Sequence, residues 1–231
     1  MNTLLDKNLS IEVIRTKRKK TASINISNGS VQVIVPDKIS DFKVKELIKK
    51  RTSWIRKKLE EDSKIIVPNP KEYISGESFT YLGRNYRLKV FKGNKPEVKL
   101  IGGYLEVSYP KKSNKNSIKD ILIDWYKDHA IKRLTEKTNR YAKIIGVVPN
   151  SISIRDYKSR WGSCSSKGEI SYNWKIIIAH HHIVDYIVIH ELCHLKHPNH
   201  SSLYWKSVKH IMPDYQVCRE WLKFHRNELL V

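Results

Sequence analysis

The first half of the chain alternates between apolar and polar residues in short runs, the pattern of half-buried β-strands. Residues 12–36 contain three such runs, EVIRTKRKK, ASINIS and VQVIVP, and residues 75–109 contain four more, FTYLG, NYRLKVF, EVKLI and YLEVSY. Between them, Ser40 can cap a helix over residues 41–62. Apolar residues recur along it at helical spacing: Val44, Leu47, Ile48, Ile55 and Leu59. The pattern predicts a β-rich N-terminal unit with one helix over residues 1–110.

The spacing of apolar residues changes after the polar segment 111–116, which we take as a boundary or hinge. A long run with helical spacing extends from Ser117 to Gly146, and residues 151–156 and 168–174 predict two more strands, connected by WGSCSSK. Residues 183–189 are apolar on nearly all sides, as in a buried helix, and two shorter helices are predicted after Ser201 and Pro213. The whole pattern predicts an α+β fold with a second domain over residues 111–231.

The buried helix carries the sequence H-E-x-x-H, with His190, Glu191 and His194 in these positions. Residues four apart lie one above the other on a helix, so the two imidazoles can coordinate one metal ion while Glu191 reaches a water bound to it. The alternative is a pair of hydrogen-bonded core histidines, since buried polar groups need partners.

A third histidine, His200, follows His194 at the spacing of the third ligand in the longer H-E-x-x-H-x-x-G-x-x-H pattern. Pro198 and Asn199 form turns, so the helix is expected to end near His197 and the chain to return His200 to the metal. His197 itself is the alternative third ligand. Three nitrogen ligands leave one position open, which is typical of a catalytic zinc rather than a structural one.

Composition and charge limit the classes of protein to consider. The 231 residues are 40% hydrophobic and 29% charged, which is ordinary for a globular protein. The N-terminal MNTLLDKNLSIEV has no apolar signal-peptide core, three cysteines are too few for a disulfide framework, and no segment is as long as a membrane span. We therefore expect a cytoplasmic protein without a membrane partner.

The formal charge of +21 suggests contact with polyanions, most commonly nucleic acid. A solvated basic surface is the other explanation, because the charges are spread along the chain. The charge makes two functions worth considering: a metal-dependent hydrolase of nucleotide phosphoanhydrides on the same site, and a nucleic-acid-binding module with a structural metal. No P-loop or paired-carboxylate signature supports the former, and three histidines beside a glutamate are the wrong ligands for the latter.

Three stretches together resemble the YgjP-like metallopeptidases, relatives of the SprT and WLM zinc proteases. They are RWGSCSSKGEISYNW at residues 160–174, DYIVIHELCHLKHPNHSSLYW at residues 185–205, and MPDY followed by WLK near the C-terminus. The resemblance implies a zincin-like catalytic domain, with the metal-binding helix packed beside a small sheet whose strand 169–174 lines the substrate groove. It also implies Zn²⁺ as cofactor and a protein or peptide substrate.

Two further expectations concern the reaction. Glu191 is expected to be the general base of peptide-bond hydrolysis. A zinc hydrolase generally needs a donor to the developing oxyanion besides the metal, and Arg160, Tyr172 and His210 are the candidates, with a structural role as the alternative for each. Some SprT and WLM relatives act on proteins attached to DNA, so proteolysis stimulated by DNA is one form that nucleic-acid contact can take.

Overall fold

The computed structural model describes residues 2–6, 9–18, 20–27, 29–64, 69–110, 115–229 and 231. In these residues the chain forms three small sheets and five α-helices, a mixed α+β arrangement that agrees with the predicted class. The chain divides into two units, residues 1–67 and residues 68–231.

The first unit opens with four strands, β1 (Asn2–Asp6), β2 (Leu9–Thr16), β3 (Ser23–Ser27) and β4 (Ser30–Pro36). They lie in the order β1-β2-β4-β3, with a parallel central pair and antiparallel outer pairs. Successive side chains of a strand point to opposite faces, so alternate residues of the central strands share one face. That face is buried: Ile11, Val13, Val31, Val33 and Val35.

Helix α1 (Asp41–Ser63) covers this face with Val44, Ile48 and Ile55. The Ser40 side chain caps it by accepting a hydrogen bond from the Lys43 amide. The Arg15 guanidinium donates to the carbonyls of residues 37 and 39 at 2.9 and 2.7 Å and so ties β2 to the start of the helix. The helix predicted over residues 41–62 is confirmed.

The second unit begins with another four-stranded sheet, made of β5 (Ser78–Tyr81), β6 (Arg84–Gly93), β7 (Glu97–Ile101) and β8 (Tyr104–Pro110). Its order is β5-β6-β8-β7, and β6 pairs with β8 in parallel, with Leu88 opposite Leu105. The strands predicted over residues 75–109 are confirmed, although the hydrophobic pattern did not reveal their order.

Helix α2 (Lys115–Ile145) packs on this sheet with Ile118 and Leu122. Farther along, Tyr126, Ala130 and Leu134 enter a larger core. Side chains of the sheet and of the helix pack in one apolar cluster, so the two belong to one unit. The division of the chain at 67/68 therefore differs from the predicted boundary at 110/111. Residues 111–114 of the predicted hinge lie outside the described residues.

A third sheet contains β9 (Ser151–Arg155), β10 (Gly162–Cys164) and β11 (Glu169–Asn173), and a short 3₁₀ helix at Trp174–Ile178 follows it. The central strand is β11, parallel to β9 and antiparallel to β10. The segment WGSCSSK, expected to be only a connection, thus contributes a strand, and that strand forms one edge of the sheet.

Three helices complete the second unit: α3 (His181–Cys193), α4 (Ser202–Ile211) and α5 (Tyr215–His225). Helix α3 contacts α2, α4 and α5, which explains why its apolar residues surround it on nearly all sides. Among the described residues, no helix has the length and apolar character needed to cross a membrane.

Candidate metal centre and active-site cleft

Helix α3 fixes the positions of His190 and Glu191 because the larger core surrounds it. Tyr186, Ile187 and Ile189 are among its buried residues. Lys137 of α2 forms an ion pair with Asp185 at 2.6 Å, and both side chains are more than four-fifths buried. The helix is therefore held by apolar packing and by one buried charge pair, and its last turn lies at a defined place.

The chain turns back directly after the motif. Helix α3 ends at Cys193, His194 occupies the C-cap, and the amide of His197 donates to the carbonyl of Cys193 at 3.0 Å. Past Pro198, Ser201 caps α4 by accepting from the Tyr204 amide. This turn brings His200 back beside helix α3. The sequence predicts such a turn, with the end of the helix placed near His197.

The three histidines His190, His194 and His200 meet, with one ring nitrogen of each within 4.8 Å of the others. The Nε2 atoms of His190 and His200 are 3.2 Å apart. Two nitrogens bound to one tetrahedral zinc at about 2.0–2.1 Å lie about 3.3–3.4 Å apart, so this separation fits a shared ion. His197 points elsewhere, since its Nε2 contacts Ser207 Oγ at 3.0 Å.

The protonation of the imidazoles also suits a metal. Nδ1 of His194 donates to the carbonyl of His197 at 3.1 Å, which leaves Nε2 with its lone pair. Burial lowers the pKa of all three histidines, and for His190, where His194 and His200 add to the effect, to about 3. Neutral imidazole is the form that coordinates a metal ion, so the group is ready to bind one at neutral pH.

Tyr204 of α4 holds the three rings together. Its ring centroid lies 5.4, 4.6 and 4.8 Å from those of His190, His194 and His200. Its hydroxyl donates to the carbonyl of His190 at 3.0 Å, and the side chain is fully buried. No sequence pattern pointed to this residue, because a tyrosine four positions after a histidine is not a signal of a metal site.

Glu191 is the most deeply buried charged residue among those the structure describes, with 4% of its surface exposed. Burial raises its pKa to about 8, and the neighbouring Arg160 opposes the shift. A divalent cation at the three imidazoles would favour the ionised form further. The balance between the protonated and the ionised form of Glu191 therefore depends on the charges near it.

Gly162 of β10 lies directly against this glutamate. A Cβ atom there would lie 2.5 Å from Oε1 and 2.7 Å from Cγ of Glu191, closer than real side chains approach. The glycine therefore provides the space that Glu191 occupies. A glycine within a strand often marks a close approach of another group, and this signal was present in the sequence but pointed to no partner.

A cleft of about 630 Å³ opens over the histidines and Glu191. Its walls include β10, the loop that precedes it, and α5. The strand expected to line the groove, residues 169–174, does not: β11 is central in its sheet, its residues 170–173 are buried, and none of them lines this cleft. Only an edge strand has free backbone groups, and the strand of this sheet that lines the cleft is the edge strand β10.

The chain matches a known family over most of its length. The family described as YgjP-like, metallopeptidase domain matches residues 20–225, a range that includes the three histidines, Glu191 and Gly162. The chain is a member of the YgjP-like family. No curated protein matches it significantly. A similar solved structure is that of the metallopeptidase zymogen abylysin from Pyrococcus abyssi. The matched region is 26% identical in sequence and covers 39% of this chain and 93% of the abylysin chain, with a TM-score of 0.36.

The three oxyanion candidates differ in position within this YgjP-like protein. Arg160 lines the cleft. Tyr172 is fully buried with its hydroxyl 2.9 Å from Thr138 Oγ1, and burial raises its pKa well above the usual value. His210 is exposed on α4 and does not line the cleft. Only Arg160 is in a position to meet a substrate.

Proposed function

We propose that this YgjP-like metallopeptidase is a zinc-dependent peptidase in which His190, His194 and His200 hold the metal and Glu191 is the general base. The observation that carries the proposal is the convergence of three neutral imidazoles beside one buried carboxyl group in an open cleft. When bound, zinc supplies a Lewis acid that lowers the pKa of a water to about 7 and polarises a carbonyl group.

The chain's own residues would divide the remaining work. Glu191 accepts a proton from the attacking water and delivers it to the leaving amine, which suits a carboxyl group whose pKa burial has raised. Arg160, on the cleft wall next to Glu191, is the donor best placed to stabilise negative charge on the former carbonyl oxygen. The free edge of β10 offers backbone groups that can hold the peptide extended.

Hydrolysis of a phosphoanhydride by the same groups is the second candidate, because the basic residues of the cleft would also attract phosphate. Among the described residues, however, the three histidines form the only group that could hold a metal, so a two-metal phosphatase site has no second set of ligands here. A structural metal fits less well, since three nitrogen ligands leave a position open.

The deciding experiment compares the parent protein with Glu191→Gln, which keeps the size of the side chain and removes the base. We expect both proteins to contain about one zinc per chain by elemental analysis, and hydrolysis of casein or a fluorogenic peptide to fall by about two orders of magnitude or more in the variant. Equal activity of the two proteins would eliminate Glu191 as the base. Hydrolysis of nucleoside triphosphates but of no peptide would replace the proposal with its alternative.

A further inference from the structure

The cleft carries an excess of positively charged side chains in addition to the three histidines His190, His194 and His200. Arg219, Lys223 and Arg226 line one wall, and we call these three residues the α5 stripe. Arg160 lines the cleft beside Glu191. The only carboxylate among the lining residues is Glu191 itself, so four exposed cationic side chains face one buried acid.

The spacing of the α5 stripe explains why its members share a wall. Lys223 lies four residues after Arg219, and Arg226, the C-cap of α5, lies three residues farther on. Residues three and four apart are neighbours on one face of a helix. The adjoining face of α5 supplies Cys218 and Leu222 to the core, and Leu222 also lines the cleft, so the helix cannot rotate its cationic side chains away from the cleft without losing that packing.

Arg219 lies near the three histidines, next to the Trp205 ring. Its guanidinium carbon is 5.0 Å from the centre of the Trp205 ring, and that ring stacks on His200 at a centroid distance of 5.4 Å. One end of the α5 stripe is therefore adjacent to the point where a scissile bond would lie.

Between the residues that the structure describes, no ion pair neutralises the three arginines that line the cleft. Of the ion pairs found between described residues, none includes Arg160, Arg219 or Arg226. A cleft with low-dielectric walls and charge of one sign concentrates ligands of the opposite sign. The occupant that best complements this cleft is anionic.

We propose that the protein selects peptides that carry carboxylates close to the scissile bond, and that the α5 stripe is the specificity-determining surface. This inference rests on the proposed peptidase function. A peptide is favoured over a polynucleotide because β10 presents a free strand edge along the same cleft, and an extended peptide can pair with such an edge through its backbone. The carboxylates can come from aspartate and glutamate side chains or from a peptide C-terminus.

The experiment measures kcat/KM for four fluorogenic peptides of one length: acidic, neutral and basic peptides with amidated C-termini, and the neutral peptide with a free C-terminus. We expect the acidic peptide to exceed the neutral one about tenfold at low salt, and this ratio to decline as ionic strength rises. Lys223→Gln/Arg226→Gln should reduce the ratio to about threefold or less, chiefly by lowering kcat/KM for the acidic peptide. The double charge reversal to glutamate should favour the basic peptide.

A matched control replaces two exposed lysines of the neighbouring helix α4, Lys206→Gln/Lys209→Gln, which do not line the cleft. It removes the same total charge and should leave the ratio unchanged. Equal cleavage of the acidic and neutral peptides by the parent, or an equal loss of preference in the control, would overturn the inference. A preference that appears only with the free C-terminus would assign the carboxylate to the chain end.

A second measurement separates this inference from the proposed function. Labelled peptides of the same series are titrated with the Glu191→Gln protein and binding is followed by fluorescence anisotropy. Tighter binding of the acidic peptide that weakens in Lys223→Gln/Arg226→Gln supports the α5 stripe even if no peptide is cleaved. Equal binding of all peptides, with a single-stranded oligonucleotide bound more tightly and in competition, would assign the cleft to nucleic acid instead.

Discussion

The two units of the molecule begin with the same arrangement of strands and a helix. In both, two hairpins place their inner strands side by side in parallel, in the orders β1-β2-β4-β3 and β5-β6-β8-β7, and the next element is a helix that covers one face. The buried pairs are also similar, with Ile11 opposite Val31 in the first sheet and Leu88 opposite Leu105 in the second.

The helices that follow the sheets differ. Helix α1 has 23 residues and its buried side chains all face its own sheet, whereas α2 has 31 residues and uses only its first turns for that purpose. The remainder of α2 packs against α3, and its Ala130 and Leu134 belong to the core that surrounds that helix. The same topology is thus completed by its own helix in the first unit, whereas in the second unit it also supports the helix that carries His190 and His194.

The largest expected effect concerns the metal, for which only the second unit provides ligands among the described residues. We expect His190→Ala or His194→Ala to lower zinc content from about one per chain to nearly none and to abolish hydrolysis, because each removes one of three ligands. His197→Ala, on the same turn but outside the group, is the matched control and should keep its zinc. Full zinc occupancy in both ligand variants would refute the site.

Two equivalent truncations of core side chains, one in each unit, should have different effects on zinc retention. Leu134→Ala in α2 and Ile55→Ala in α1 each remove a fully buried side chain and should each lower the free energy of unfolding by about 2–5 kcal/mol. Only Leu134→Ala weakens the support of α3, so zinc retention at elevated temperature should decline in that variant and not in Ile55→Ala. Thermal unfolding followed together with zinc release tests this, and equal release from both variants would contradict the division.

A smaller effect is expected from filling the space beside Glu191. Gly162→Ala should lower kcat about tenfold or more by displacing the buried carboxyl group, with zinc content unchanged. Gly93→Ala is the control within the sheet of the same unit, since a Cβ there would come within 2.9 Å of Ser108 Cβ, far from the proposed chemistry. A similar decline of kcat in both variants would reduce Gly162 to a packing position.

The smallest expected effect concerns the excess of basic residues, which is present in both units. If the charge of +21 attracts nucleic acid, the affinity for DNA should decline steeply as salt rises, because each neutralised phosphate releases counterions. Anisotropy with labelled DNA at low and physiological salt measures this, and casein cleavage in the presence and absence of DNA shows whether binding matters for activity. Absence of binding at low salt would leave the charge as a solubility feature.

Local patterns predicted what depends on near neighbours in sequence. The apolar stripe of α1, its Ser40 cap and the histidine spacing all involve residues within a few turns of one another, and the structure brings His190, His194 and His200 together as expected. Contacts between distant segments were not predictable in this way. Gly162 against Glu191, β10 as the edge strand, and Tyr172 buried rather than in the cleft all depend on how separate elements pack.

Tyr204 has a consequence for how the centre is assembled. Because this fully buried ring contacts all three imidazoles, the conformational entropy lost in gathering them is lost when the chain folds and not when a metal arrives. The centre is thus preorganised, and a cation that binds only the folded chain stabilises it by RT ln(1 + [M]/Kd). If the three histidines hold a metal as proposed, the stability of the second unit varies with the free metal concentration, whereas the first unit, which offers no candidate set of ligands among the described residues, has no such dependence.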